Sequence, residues 1–242
     1  MILRWSGRLL RTVATRRASW HRKPCVTFVR QWALVTPPSD TAAKPVPVPG
    51  NGHAAQDVPS PWVERFAQLI PPGEVLDLAC GGGRHARFLA GRGYRVLAVD
   101  RDPAALERVA APLVTPLLAD LEGSSDAPAN WPFGSGRFTG VVVTNYLHRP
   151  LFSHIVASLA DEGVLIYETF AQGNEQFGKP SNPAFLLEPG ELLSLKNGSS
   201  THRLRVIAFE DGFIASPRPA MVQRICLVKT SSVPSSERLR LF

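Results

Sequence analysis

Cysteine is scarce: Cys25, Cys80 and Cys226 stand far apart and form no Cys-x-x-Cys pair. That excludes a disulfide framework and a cysteine-based metal site. Cys80 as a nucleophile has no partner in sequence, since His85 falls on a different element. No stretch approaches the roughly 18 consecutive apolar residues of a membrane helix, so no membrane partner is expected. A phosphate-binding Gly-x-x-x-x-Gly-Lys loop and a Gly-x-Ser-x-Gly elbow are both missing, which removes the commonest nucleotide hydrolases and serine hydrolases.

Acidic residues are absent from the first 36 positions, which are rich in Arg and contain Ser and Thr. That is the composition of a mitochondrial transit peptide, or of a disordered basic leader on a cytoplasmic protein. The net charge of +7 is confined to this end. Residues 1–60 hold nine Lys and Arg against Asp40 and Asp57, and the 18 basic residues beyond them meet 18 acidic ones. The remainder is neutral, so bulk charge does not indicate a nucleic-acid partner. Residues 37–59 are rich in Pro, Ala and Gly and read as a linker. With 44% hydrophobic side chains in 242 residues, one sizeable core is expected over residues 60–230, followed by a disordered tail over 231–242.

What is present is concentrated between residues 73 and 102. An apolar run from Val75 to Ala79, interrupted only by Asp77, meets Gly81, Gly82 and Gly83. A helix-spaced segment (Ala86, Leu89, Ala90) follows and stops at Gly91 and Gly93, and a second apolar run, Val96 to Val99, ends on Asp100. Strand, tight turn, helix and strand make the first half of a nucleotide-binding βαβ unit. The spacing Gly81-x-Gly83-x-x-Ala86 with Asp100 also fits a dinucleotide fingerprint, so an NAD(P)-dependent oxidoreductase is one reading. Charge separates the two. Asp77 before the glycine turn would repel a pyrophosphate, whereas S-adenosyl-L-methionine carries a sulfonium and an ammonium and no phosphate. Asp100 is placed to accept from ribose hydroxyls, and Asp120, closing the next apolar run, from an adenine amino group. Three acids at the carboxyl ends of three strands suit a cationic ligand.

The run Val75-Leu76-Asp77-Leu78-Ala79-Cys80-Gly81-Gly82-Gly83-Arg84, followed by Val96-Leu97-Ala98-Val99-Asp100, resembles the first two motifs of class I S-adenosylmethionine-dependent methyltransferases. With Phe88-Leu89-Ala90 and Gly93-Tyr94-x-Val96 after it, it looks most like small bacterial members that include tellurite-resistance-type enzymes. The resemblance implies an α/β fold of three layers, a doubly wound seven-stranded sheet in the order 3-2-1-4-5-7-6 with strand 7 antiparallel. It also implies cofactor contacts at Asp77, Ala79, Gly81 and Gly83 on the first motif. Further contacts would come from Asp100 and Arg101, from Asp120 and Leu121, and from Asn145. One departure is Ala79, where the family usually has Gly; its methyl group is a small steric demand.

Further along, Ser60-Pro61 opens a helix striped by Trp62, Phe66 and Ile70, and Asp102-Pro103 opens another reaching about Ala111. Val114 to Ala119 is a strand that tolerates Pro116 only at a sheet edge. Trp131-Pro132-Phe133 lie in a polar loop, either walling an adenine or anchoring the loop to the core. Phe138 to Thr144 and Val164 to Thr169 are strands with a helix from Leu151 to Ala160 between them. Phe170 to Leu187 is a long polar loop at the active-site end, expected to be a substrate lid. Two final strands, 206–209 and 222–228, are expected to be joined in an antiparallel hairpin by Asp211-Gly212-Phe213 and a Pro-containing loop.

Methyl transfer from a sulfonium demands mainly alignment, and a base only if the nucleophile arrives protonated. The candidates for catalysis are His148 and Tyr146 after the fourth strand, with Glu168 and His85 nearby and Arg84 or Arg149 available for a substrate carboxylate. No Asn-Pro-Pro-Tyr signature of base N-methylation follows that strand, and a small-molecule acceptor is expected. A non-catalytic module keeping the cofactor fold is the alternative from another class.

Overall fold

The computed structural model describes residues 57–123, 130–197 and 203–230. Of the expected leader and linker only residues 57–59 fall within that range, and the tail from 231 lies outside it. One sheet of seven strands has the order β3-β2-β1-β4-β5-β7-β6. Strands β1 (Glu74–Leu78), β2 (Arg95–Asp100), β3 (Val114–Leu118), β4 (Phe138–Thr144) and β5 (Leu159–Phe170) run parallel. β7 (Ala220–Thr230) is antiparallel to both its neighbours, β5 and β6 (Arg203–Ile214). This is the order that the family resemblance implies.

The central strands are apolar on both faces because helices cover both. On one face Val75, Val96, Val142 and Ile166 pack under α1 (Pro61–Phe66) and α2 (Arg84–Ala90). On the other, Leu76, Leu78, Val141 and Tyr167 pack under α4 (Phe152–Ser158) and the 3-10 turns at 191–197. Pro116 sits on the edge strand, exposed, where its missing N–H costs no ladder bond. Side-chain caps fix two helix starts: Ser60 accepts from the Trp62 amide at 3.1 Å, and Asp102 from the Ala104 amide at 2.9 Å.

Three elements depart from the sequence expectation. The helix opened by Asp102, α3 (Pro103–Leu106), stops well before Ala111. Beyond it the fully buried Val109 turns under the glycine loop, where a Cβ on Gly83 would lie 2.9 Å from its methyls. α4 ends at Ser158 because Lys229, buried from the last strand, donates to the Leu159 carbonyl at 2.6 Å and serves as a cap. Asp211-Gly212-Phe213 pair with Gln223, Val222 and Met221 inside β6, and the turn falls in the Pro-containing loop alone, at residues 215–219.

Candidate functional site

A crevice of about 430 Å³ opens at the carboxyl ends of β1, β2, β3, β4 and β5. In a doubly wound sheet this is where ligands bind, because the strand order reverses between β1 and β4. Seven of the sequence-derived candidates line it: Ala79, Asp100, Arg101, Asp120, Leu121, Asn145 and Tyr146. The glycine turn shapes its floor from behind. Asp100 accepts from the Gly81 amide at 2.7 Å and from the Asp102 amide at 2.9 Å, so its carboxylate ties the first turn to the second strand. Gly81 and Gly83 both have positive φ, at +53° and +77°. They are bend positions and do not face the crevice lining.

Ala79 also has a left-handed backbone, φ +53°, and so has Asn145 at φ +56°. β1 and β4 are neighbours, with Leu78 opposite Val143, so the two residues end adjacent strands at the crevice floor. Asn tolerates this conformation; Ala carries a cost of about 1–2 kcal/mol relative to glycine. The demand at Ala79 is therefore one of backbone conformation rather than the bulk of a methyl group.

Asp77 has an unusual environment. The period-two alternation of β1 turns it with Val75 toward α2, so it lies beneath the crevice floor, 1% exposed, and does not line the crevice. Neither carboxylate oxygen completes a hydrogen bond, the Ala86 amide approaching short of full geometry. Burial pushes its pKa up to about 7, with the Ala86 amide and the Arg84 charge drawing it partly back and the Asp100 carboxylate raising it further. An orphaned buried carboxylate is costly and marks a site whose partner is a ligand or an ion.

The other polar groups on that face are fully engaged. His85 Nε2 accepts from the Ser60 amide at 3.1 Å, which places the proton on Nδ1, 3.2 Å from the Thr144 hydroxyl. Burial first, and the Arg84 charge second, lower its pKa to about 3, so it is a neutral structural histidine. Ser60 Oγ donates to Glu168 Oε1 at 3.0 Å, and the Arg224 guanidinium lies 2.6 Å from Glu168 Oε2. Glu168 therefore spends its charge on β7 and α1, away from the crevice.

At the end of β4, Tyr146 lines the crevice and His148 does not. The Tyr146 hydroxyl is held as a neutral donor: burial raises its pKa, and the Glu122 carboxylate adds to this by charge and by a hydrogen bond. Arg149, a candidate for a substrate carboxylate, is committed elsewhere. Its guanidinium makes a two-pronged pair with Glu191 at 2.6 and 2.8 Å and donates to the Ala184 and Leu186 carbonyls, both at 2.9 Å. The long loop is further fastened by Asn174, 2% exposed, whose Nδ2 donates to the Pro180 carbonyl and whose Oδ1 accepts from the Met221 amide. Pro180 and Phe185 of this loop form the outer wall of the crevice. Sequence reasoning missed both; only the loop's length signalled them. Trp131 and Phe133 anchor their loop instead, by edge contacts to each other and from Phe133 to Phe138.

Among the described residues no group of three metal-binding side chains occurs, and no helix is long and apolar enough to cross a membrane.

Residues 75–163 match a family model described as a methyltransferase domain. Over 93 residues, 36% of this chain and 42% of the relative, the chain is 39% identical to an uncharacterized methyltransferase of Synechocystis. Over 114 residues, 46% of this chain and 51% of the relative, it is 33% identical to a protein-L-isoaspartate O-methyltransferase of Chlorobaculum tepidum. The chain thus spans about half the length of the curated relatives it matches. TehB of Haemophilus influenzae shares the fold, with a TM-score of 0.54 at 17% identity over 70% of this chain and 61% of that one. Strand order and crevice define a doubly wound, Rossmann-like α/β domain, of which residues 75–163 carry the match to the methyltransferase-domain model.

Proposed function

We propose that the chain binds S-adenosylmethionine in the crevice and transfers its methyl group to a small-molecule acceptor. The observation that carries this reading is the buried carboxylate of Asp77, without a completed hydrogen bond beneath the glycine turn. A sulfonium and an ammonium above the turn complement it, together with the excess of acids (Asp100, Asp120 and Glu122 against Arg101) around the crevice. A pyrophosphate would meet the same acids unfavourably. When bound, the cofactor supplies an activated methyl group for in-line displacement.

The chain's own residues hold and orient. Asp100 retains acceptor capacity for ribose hydroxyls beyond its two amide bonds, and Asp120 and Leu121 flank the adenine position. Asn145 and Tyr146 face the side toward β5, where an acceptor approaches. The neutral Tyr146 hydroxyl turns its proton to Glu122, so it offers the acceptor its oxygen as a hydrogen-bond acceptor and takes no proton from it. Cys80 and Cys226 are both free, which supports a reducing compartment such as the cytoplasm. The neutral charge of residues 61–242 supports a partner other than nucleic acid.

Thermal melts with S-adenosylmethionine, S-adenosylhomocysteine and NAD test the reading. At about 100 times the dissociation constant a true ligand adds about 2.7 kcal/mol, raising Tm by roughly 5–10 °C for a domain of this size. A shift with NAD and none with the sulfonium compound defeats the proposal.

A further inference from the structure

Resting on that reading, we infer that the methyl acceptor is an uncharged, flat aromatic molecule held between Tyr146, Phe170 and Phe185. The crevice is divided by charge. Every ionisable carboxylate and guanidinium that lines it, Asp100, Arg101, Asp120 and Glu122, belongs to the ends of β2 and β3. The half formed by β4, β5 and the fastened loop is lined by Asn145, Tyr146, Thr169, Phe170, Pro180 and Phe185, none of them ionised at neutral pH. Three aromatic rings and a proline ring supply flat apolar faces, and Asn145, Thr169 and the Tyr146 hydroxyl supply neutral hydrogen bonds.

Of the charged residues bordering this half, Glu122 reaches it, through its hydrogen bond with the Tyr146 hydroxyl, and it is an acid that would repel an anionic acceptor; the others are held elsewhere. Arg149 is held by Glu191 and two loop carbonyls, and Glu168 by Arg224 and Ser60. Lys179 precedes Pro180 but is not part of the lining. An acceptor bearing a carboxylate or phosphate would lose water there without gaining a counter-charge. Phe185, 52% exposed, stands at the mouth and is the ring most open to an incoming molecule. Asn174, buried inside its loop, and Gln223, buried and bonded to the Glu188 carbonyl just beyond it, make the wall a preformed surface.

The test uses the full chain and two matched probes, 2-naphthol and 6-hydroxy-2-naphthoate, titrated by calorimetry with and without saturating S-adenosylhomocysteine. 2-Naphthol is expected to bind at least about tenfold more tightly than its carboxylate analogue. Phe185→Ala is expected to weaken 2-naphthol at least about fivefold with Tm unchanged, since the side chain is half in solvent. Phe185→Arg is expected to reverse the preference by supplying the missing cation. Equal or tighter binding of the carboxylate by the unaltered chain, no saturable binding of either probe, or no effect of Phe185→Ala each overturns the inference. Failure of the proposed methyl donor shows separately, as absence of S-adenosylhomocysteine heat with probe selectivity intact.

Discussion

Asp77 and Ala79 are two residues apart and stand under different kinds of strain. The Asp77 carboxylate is buried with no completed hydrogen bond and has its pKa raised to about 7 by burial. A cationic ligand that favours the ionised form must then bind more tightly as pH rises through 7. The dissociation constant for S-adenosylmethionine is expected to weaken up to about tenfold between pH 7.5 and pH 6, and Asp77→Asn to flatten that dependence while weakening binding at pH 7.5; calorimetry across pH checks both. Ala79 pays for its left-handed φ of +53° with no polar side chain to offset it. Ala79→Gly is expected to stabilise the ligand-free protein by about 1 kcal/mol, read as a rise of roughly 2–4 °C in Tm. The sequence shows that an alanine interrupts a glycine-rich turn. It does not show which φ that residue adopts, because conformation at the end of β1 is imposed by the neighbouring strands.

Among the elements, the loop at 171–187 changes character once its fastenings are seen. Length and polarity suggest a lid, and the structure shows a wall pinned by Arg149, Asn174 and Gln223. Arg149→Lys cannot reproduce the two-pronged pair with Glu191 and the two carbonyl bonds. It is expected to speed hydrogen exchange at the Leu186 and Leu187 amides by about tenfold, the equivalent of about 1.4 kcal/mol, with global Tm lowered by no more than a few degrees. The strands were legible because their apolar runs are bounded by glycines and prolines: β1 through β4 fall within one residue of expectation, while β5 starts five residues early, at Leu159. What escaped was decided by distant residues: Lys229 ends α4, Val109 under Gly83 ends α3, and pairing with β7 draws Asp211-Gly212-Phe213 into a strand. Of the crevice, the acids and the turn could be read from spacing, whereas the engagement of Glu168 by Arg224 and of Arg149 by Glu191 could not. Those partners lie 56 and 42 residues apart in the chain.

For the molecule as a whole, two buried groups pull stability in opposite directions with pH. His85, with its pKa lowered to about 3, is kept neutral, so its contribution is present above the unfolded value near 6.5 and is lost as pH falls toward 3. Asp77, raised to about 7, contributes below its unfolded value near 3.8 and loses that contribution as pH rises through 7. The two slopes offset each other between about pH 4 and pH 6.5. The stability difference between Asp77→Asn and the parent chain is therefore expected to grow in favour of the variant from pH 4 to pH 7 and then level off, measured by urea unfolding without ligand. A last consequence concerns synthesis. β7 is the final strand described, yet it lies inside the sheet between β5 and β6, and its Arg224 joins Glu168 to complete the chain of polar contacts through Ser60 to His85. On the ribosome, therefore, the nascent sheet waits with the apolar edge of β5 uncovered until residues 220–230 emerge, and that interval is when a holding chaperone has most to protect.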